Sequence, residues 1–275
     1  MTGNSETGAT VIRGSTQLYA IVGHPVSQVK SPEIFNRWFA QRGMDAVMIP
    51  LDVRPEGLAA FVELMRSADN LRGVVVTIPY KEAITRYIDR PSAQVSALGV
   101  ANVLRVGQAG EIVGDMTDGR GFVRALGDKG VSVHGKHVFI LGCGGAGSAV
   151  AWDVLGAGAA RVSLTDLDGG RAGLLQARLA TRYPEQEVRV VREAPAEFDI
   201  VLNATPLGMS PNDPLPVPLE RIPAGAVVAD AVTAPPETPF LRGAAMRGHR
   251  VQSGAEMAAG QAPLIAEFFG LPGLK

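Results

Sequence analysis

Gly142, Gly144 and Gly147 fall in one turn, Gly142-Cys143-Gly144-Gly145-Ala146-Gly147, between an apolar run and an Ala/Val/Leu-rich stretch, and Asp166 ends the next apolar run. Such a turn can cradle a pyrophosphate. Gly142 permits the sharp bend off a strand. Gly144 lets backbone approach the ligand where a Cβ would collide, and Gly147 lets the following helix pack close to the sheet. The helix that opens there aims unpaired N–H groups and its positive dipole end at the phosphates. The strand–turn–helix–strand–acid order is that of a dinucleotide-binding unit. Asp166 can accept hydrogen bonds from the adenosine ribose hydroxyls and would repel a 2′-phosphate. No Arg stands beside it in Thr165-Asp166-Leu167-Asp168, so the residues predict NAD over NADP. The expected cofactor contacts here are Gly142, Cys143, Gly144, Gly145, Ala146, Asp166 and Arg171. A helix N-terminus can lower a thiol pKa, but Cys143 reads better as a small side chain filling the turn. Asp168 reads as the cap region of the next helix.

The elements that must hold this turn alternate between strands and helices. Strands are expected over 138–141, 161–164, 188–191, 200–203, 227–230 and 250–251, with a Pro-rich loop over 206–223. An earlier α/β unit precedes them. It has strands over 17–22, 46–51 and 73–78, the last nearly all β-branched and so buried in a parallel sheet. Helices are expected over 31–42, 55–67 and from 81 to 88, with Ser31 as N-cap and Pro32 at the first helical position. A hairpin spans 101–106 and 111–114. A helix over 117–127 links the two units, and an apolar-faced helix over 256–269 ends the chain. Trp38, Trp152 and most Phe residues read as core.

The bulk numbers exclude several classes. The 275 residues suffice for two modest domains, and the net charge of −1 offers no field for nucleic acid. No apolar run approaches the roughly 20 residues of a membrane span. The polar segment 1–15 reads as a loose tail, not a signal peptide. One Cys excludes an internal disulfide and suits a reducing cytoplasm. The four His residues have no metal-ligand spacing, so no metal is expected.

Seven motifs then occur in order. They are Val76-Thr77-Ile78-Pro79-Tyr80-Lys81, Gly99-Val100-Ala101-Asn102 and Thr117-Asp118-Gly119-Arg120-Gly121-Phe122, then the Gly142 turn, Asn203-Ala204-Thr205-Pro206-Leu207-Gly208-Met209, Thr238-Pro239-Phe240-Leu241, and 254–261. With these motifs the chain resembles the shikimate/quinate dehydrogenase family from about residue 17 to 270. The resemblance implies an α/β fold with an N-terminal substrate domain over 16–116 and a Rossmann-type NAD-binding domain over 117–250. The C-terminal helices, 251–275, return to the first domain. It also implies an active site in the cleft between the domains. It makes Lys81 and Asp118 an acid–base pair, although on spacing alone they read as an exposed lysine and a helix cap. Ser31, Thr77, Asn102 and Gln261 are implied to bind the hydroxyls of a polyhydroxylated ring carboxylate. Asn203, Ala204, Thr205, Leu207, Met209, Ala231, Gly254 and Met257 are implied to approach the nicotinamide half of the cofactor. A monomer or homodimer is expected.

The resemblance breaks at informative places. Val29 and Thr233 stand where the family usually has a Ser and a Tyr that help to hold the substrate carboxylate. Met116 and Val103 also depart from the pattern. Losing a charged hydrogen bond costs about 1.5–3 kcal/mol, or one to two decades in affinity. Shikimate is therefore expected to be a poor substrate, with quinate or a differently substituted ring favoured. Two functions compete. One is an NAD-dependent dehydrogenase using Lys81 and Asp118. The other is a non-catalytic sensor that keeps the fold and binds a ligand.

Overall fold

The computed structural model describes residues 11–272. The tail expected over 1–15 lies mostly outside these residues, and so does the end of the 251–275 segment. Where the chain becomes describable it is soon tied down: Ser15 Oγ and Thr16 Oγ1 each donate to the Asp45 carboxylate at 2.6 Å.

The first sheet is built from β1 (Gln17–Gly23), β2 (Ala46–Asp52), β3 (Leu71–Val76), β4 (Arg90–Pro91), β5 (Val103–Val106) and β6 (Ile112–Asp115). Its order is β2-β1-β3-β5-β6-β4. The strands β1, β2 and β3 run parallel, and the β5–β6 hairpin joins β3 antiparallel. The crossover helices α1 (Ser31–Gln41) and α2 (Leu58–Ser67) bury Phe35, Trp38 and Phe39 on one side and Phe61, Val62 and Met65 on the other. That two-sided burial is why β1 and β3 are almost wholly apolar.

The second sheet is parallel throughout. It contains β7 (His137–Leu141), β8 (Arg161–Thr165), β9 (Glu187–Val190), β10 (Ile200–Asn203), β11 (Val227–Asp230) and β12 (Val251–Gln252), in the order β12-β11-β10-β7-β8-β9. Chain order reverses beside β7, where β8 lies on one side and β10 on the other. A crevice therefore opens at the carboxyl ends of those strands, the usual ligand position in such sheets.

The helices α3 (Ala93–Leu98), α4 (Asp118–Asp128) and α5 (Gly145–Gly156) lie between the sheets. The last helix, α8 (Gly254–Phe268), returns from the second sheet and packs along α4 and against α1. Ser253 starts it with a capping box to Glu256. The remaining helices are α6 (Gly169–Arg182) and α7 (Pro239–Met246). Among the described residues no helix is long and apolar enough to cross a membrane.

Several local expectations needed correction. Ser31 is not an N-cap: Lys30 takes that position and the Ser31 side chain makes no cap bond, so its hydroxyl is left to face the cleft. The segment after Lys81 forms only a 3₁₀ turn at Ala83–Tyr87, not an α-helix. The strand expected over 73–78 ends at Val76, which leaves Thr77 and Ile78 on the loop beside the cleft. The short α3 and α7 and the two-residue β4 lack the length for a periodic pattern to be read.

Candidate active site

Lys81 stands on the loop after β3, and Asp118 opens α4. The two are 37 positions apart in the chain, and the Lys81 ammonium forms an ion pair with Asp118 Oδ2. The side chains are 17% and 4% exposed, so the pair is shielded while Lys81 keeps an open side. The second carboxylate oxygen is also satisfied. Asn102 Nδ2 donates to Asp118 Oδ1 at 2.8 Å. Asn102 is itself fixed, because its Oδ1 accepts from the Thr117 backbone N–H at 2.8 Å and its Nδ2 also lies 3.0 Å from Thr117 Oγ1 and 3.2 Å from Gln261 Oε1. A buried carboxylate held this way orients its ammonium partner and keeps the pair from drifting toward water. Asp118 at a helix N-terminus also gains from the dipole.

These groups line a cleft of about 250 Å³ between the two sheets. Every residue implied to bind substrate reaches it: Val29, Ser31, Thr77, Asn102, Thr233 and Gln261. Of the nicotinamide set, Ala204, Thr205, Met209, Ala231, Gly254 and Met257 line it as well, together with Ala146 of the Gly turn. Asn203 and Leu207 do not. Asn203 is fully buried. Its amide donates to Leu207 O at 2.8 Å and to Asp230 Oδ1 at 3.0 Å, while its Oδ1 accepts from Thr205 Oγ1 at 2.6 Å. It shapes the loop that carries Thr205 and makes no wall of its own.

The Gly turn adjoins the cleft through Ala146, and its geometry fits a dinucleotide. Gly142 has φ +91°, a conformation that L side chains resist. A Cβ on Gly147 would meet Gly142 O at 1.8 Å. At Gly144 a Cβ would meet nothing nearer than Arg171 Nη1 at 4.0 Å, so the space in front of it is open and bordered by a guanidinium. No side chain caps α5, and its first N–H groups remain available to phosphate oxygens. Asp166 ends β8. It accepts from Cys143 N at 2.6 Å and from Asp168 N at 2.9 Å, which pins the turn to the neighbouring strand. Asp168 caps α6, accepting from Gly170 and Arg171 N–H groups. Burial, with the Asp166 charge nearby, pushes the Cys143 thiol up to about 12, so it is an inert filler. Gly145 connects the turn to the Lys81–Asp118 pair: a Cβ there would stand 3.1 Å from Lys81 Cδ.

Two acids, Asp230 buried and Asp153 partly buried, were given no role from the sequence. Asp230 accepts from Val232 N, Thr238 Oγ1 and Asn203 Nδ2 and so holds the loop carrying Ala231 and Thr233; burial raises it to about 6. Asp153 on α5 accepts from Gln94 Nε2 of α3 at 2.9 Å and is also raised to about 6 by burial. Thr117, which bonds Asn102, is the other omission. Its signal was its place beside Asp118 in the same motif.

Comparison with known proteins agrees with this geometry. The shikimate dehydrogenase substrate binding domain matches residues 21–104. The shikimate dehydrogenase (NADP(+)) of Rubrobacter xylanophilus is 39% identical over 241 residues, covering 86% of this chain and 84% of that one. The quinate dehydrogenase of Corynebacterium glutamicum, solved with NAD, superposes with a TM-score of 0.82 at 26% identity, covering 94% and 95% of the two chains. A 5-ketofructose reductase from a Gluconobacter strain superposes at 0.85 with 28% identity, covering 96% of each. With identity at that level across most of both chains, and with the paired sheets and the cleft between them, this chain belongs to the shikimate dehydrogenase family of NAD(P)-dependent dehydrogenases.

Proposed function

We propose that the chain interconverts a secondary alcohol and a ketone on a polyhydroxylated ring of the shikimate or quinate kind, with Lys81 and Asp118 as the acid–base pair and NAD preferred over NADP. The observation that carries this reading is the Lys81–Asp118 ion pair facing Ala146 and Met257 across one cleft. The division into a substrate domain over 16–116 with 251–275, and a cofactor domain over 117–250, belongs to the same proposal.

When bound, nicotinamide supplies the hydride acceptor or donor. In reduction the Lys81 ammonium donates a proton to the carbonyl oxygen, and in oxidation the neutral Lys81 amine takes the hydroxyl proton as the carbon loses hydride. A positioned acid or base contributes roughly 10²–10⁴-fold to such a step. Asp118 holds the ammonium in place, and Asn102 holds Asp118. Ser31, Thr77 and Gln261 offer short hydroxyls and an amide to ring hydroxyls, each of which needs a partner once buried. The turn N–H groups and Arg171 would hold the pyrophosphate of a bound dinucleotide, and Asp166 would hold its adenosine ribose.

The cofactor preference rests on Asp166, against the NADP-dependent naming of the Rubrobacter relative and in line with the NAD complex of the quinate dehydrogenase. The likeness to a 5-ketofructose reductase widens the range of substrates worth assaying. Steady-state kinetics of shikimate and quinate, each with NAD and NADP, test the proposal. The expected result is kcat/KM at least tenfold higher with NAD. A clear NADP preference would overturn the cofactor assignment. Ligand binding with no turnover under any combination would favour the sensor.

A further inference from the structure

We infer that the ring substituent seated against Val29 and Thr233 is uncharged: the cleft takes a neutral polyhydroxylated ring in preference to the ring carboxylate. This inference rests on the oxidoreductase reading above and specifies its substrate class.

The charges of the cleft wall are Lys30, Lys81 and Asp118. Each is already matched. Lys81 pairs with Asp118, and Lys30 pairs with Glu33 at 3.1 Å, with both side chains of that second pair well exposed. A carboxylate entering the cleft therefore finds no unpaired cation held in the wall: Lys30 lies at the exposed rim, in a weak surface pair with Glu33. The surroundings of a carboxylate beside Val29 are aliphatic. Val29 packs on the cluster that contains Ile21, Phe35 and Val75, and Ile21 and Val75 are themselves paired across β1 and β3 and form part of the cleft wall. Val232, beside Thr233, is 6% exposed. An ionised carboxylate has about four lone-pair sites to fill; Ser31 and Thr233 offer one hydroxyl each, and the Gln28 amide already donates to Pro25 O at 3.0 Å. The unfilled acceptors would lie against valine methyl groups, an environment that disfavours the charged form of any group. Asn102 and Gln261 are instead bonded into the network of the Lys81–Asp118 pair, where the reacting carbon must lie, and Thr77 lines the same cleft. The cleft wall thus combines a polar network at Lys81 and Asp118 with an aliphatic stretch suited to an uncharged substituent.

The test compares shikimate with its methyl ester, using NAD and the full-length wild-type enzyme, with quinate and the Lys81→Ala enzyme as controls. The ester is expected to have kcat/KM at least tenfold above the acid. The double variant Val29→Ser/Thr233→Tyr is expected to raise kcat/KM for the acid at least tenfold and to narrow that ratio. Lys81-dependent turnover in which the acid matches or exceeds the ester would overturn the inference and leave the oxidoreductase reading standing. No Lys81-dependent turnover of acid, ester or quinate with either cofactor would overturn both. The wild-type ratio decides the matter alone if the double variant fails to fold.

Discussion

Asn102 is the residue on which the Lys81–Asp118 ion pair leans, because its amide supplies the bond to the Asp118 oxygen that Lys81 does not use. Asn102→Ala leaves a nearly buried carboxylate oxygen without its donor. We expect a loss of about 1–3 kcal/mol in stability, read by urea titration, together with a lower kcat at saturating substrate. Unchanged values for both would show that Asp118 needs no such support. At Cys143 the expectation runs the other way. A buried thiol raised to about 12 is almost wholly protonated at pH 8, so the native protein should resist an aromatic disulfide reagent that labels it fully in denaturant. Rapid labelling of the native state would place the thiol in an electropositive, open setting. At this scale the sequence was legible unevenly. Gly142, Gly147 and Asp166 carried their geometry in their types and order. Lys81 and Asp118 did not: a lysine and an aspartate 37 positions apart bear no local mark of meeting, and only the motifs around them pointed to a pair.

Among the elements, the Gly turn and the loop after β3 meet at Gly145. A Cβ there would press on the Lys81 stem at 3.1–3.2 Å, which a flexible side chain can yield to only by shifting its ammonium. Gly145→Ala is therefore expected to lower kcat more than it weakens NAD binding, a split that steady-state kinetics and a fluorescence titration would resolve. At Gly147 the obstacle is backbone, with Gly142 O 1.8 Å from the added carbon. Gly147→Ala should cost about 1–3 kcal/mol and abolish measurable NAD binding; normal binding would mean that the turn tolerates re-routing. The long elements were readable because burial leaves a pattern: β3 is a run of valines, and α1 alternates Phe35, Trp38 and Phe39 onto one face. The start of α1 was misread because Ser31-Pro32 fits a cap equally well one residue earlier or later. The 3₁₀ turn after Lys81 was misread as an α-helix because Ala83, Ile84 and Tyr87 have helical spacing but only Ile84 is fully buried.

Across the whole molecule, α3, α4 and α5 join the two sheets, and Asp153 lies at that joint, bonded to Gln94 and beside the backbone of Gly119. Its carboxyl is raised from an ordinary value near 3.8 to about 6 by burial. Folding therefore takes up a proton between those values. The contribution of Asp153 is most favourable below about pH 4 and is lost as pH rises through about 6. Asp153→Asn should gain stability relative to wild type across that window, by on the order of 1–3 kcal/mol by pH 7. Parallel stability–pH curves for the two proteins would remove the argument. The joint itself was invisible in the sequence, because the partners of Asp153 come from separate segments and none of them has a periodic signature. The central claim is that Lys81 moves the proton in a nicotinamide-dependent redox step. Turnover of the best substrate by Lys81→Ala, measured beside its affinity for NAD, tests this most directly. The account predicts that kcat falls by roughly 10²-fold or more while NAD affinity stays within about threefold, since Lys81 holds no phosphate in the cradle described. A kcat close to wild type, with NAD binding intact, would contradict it.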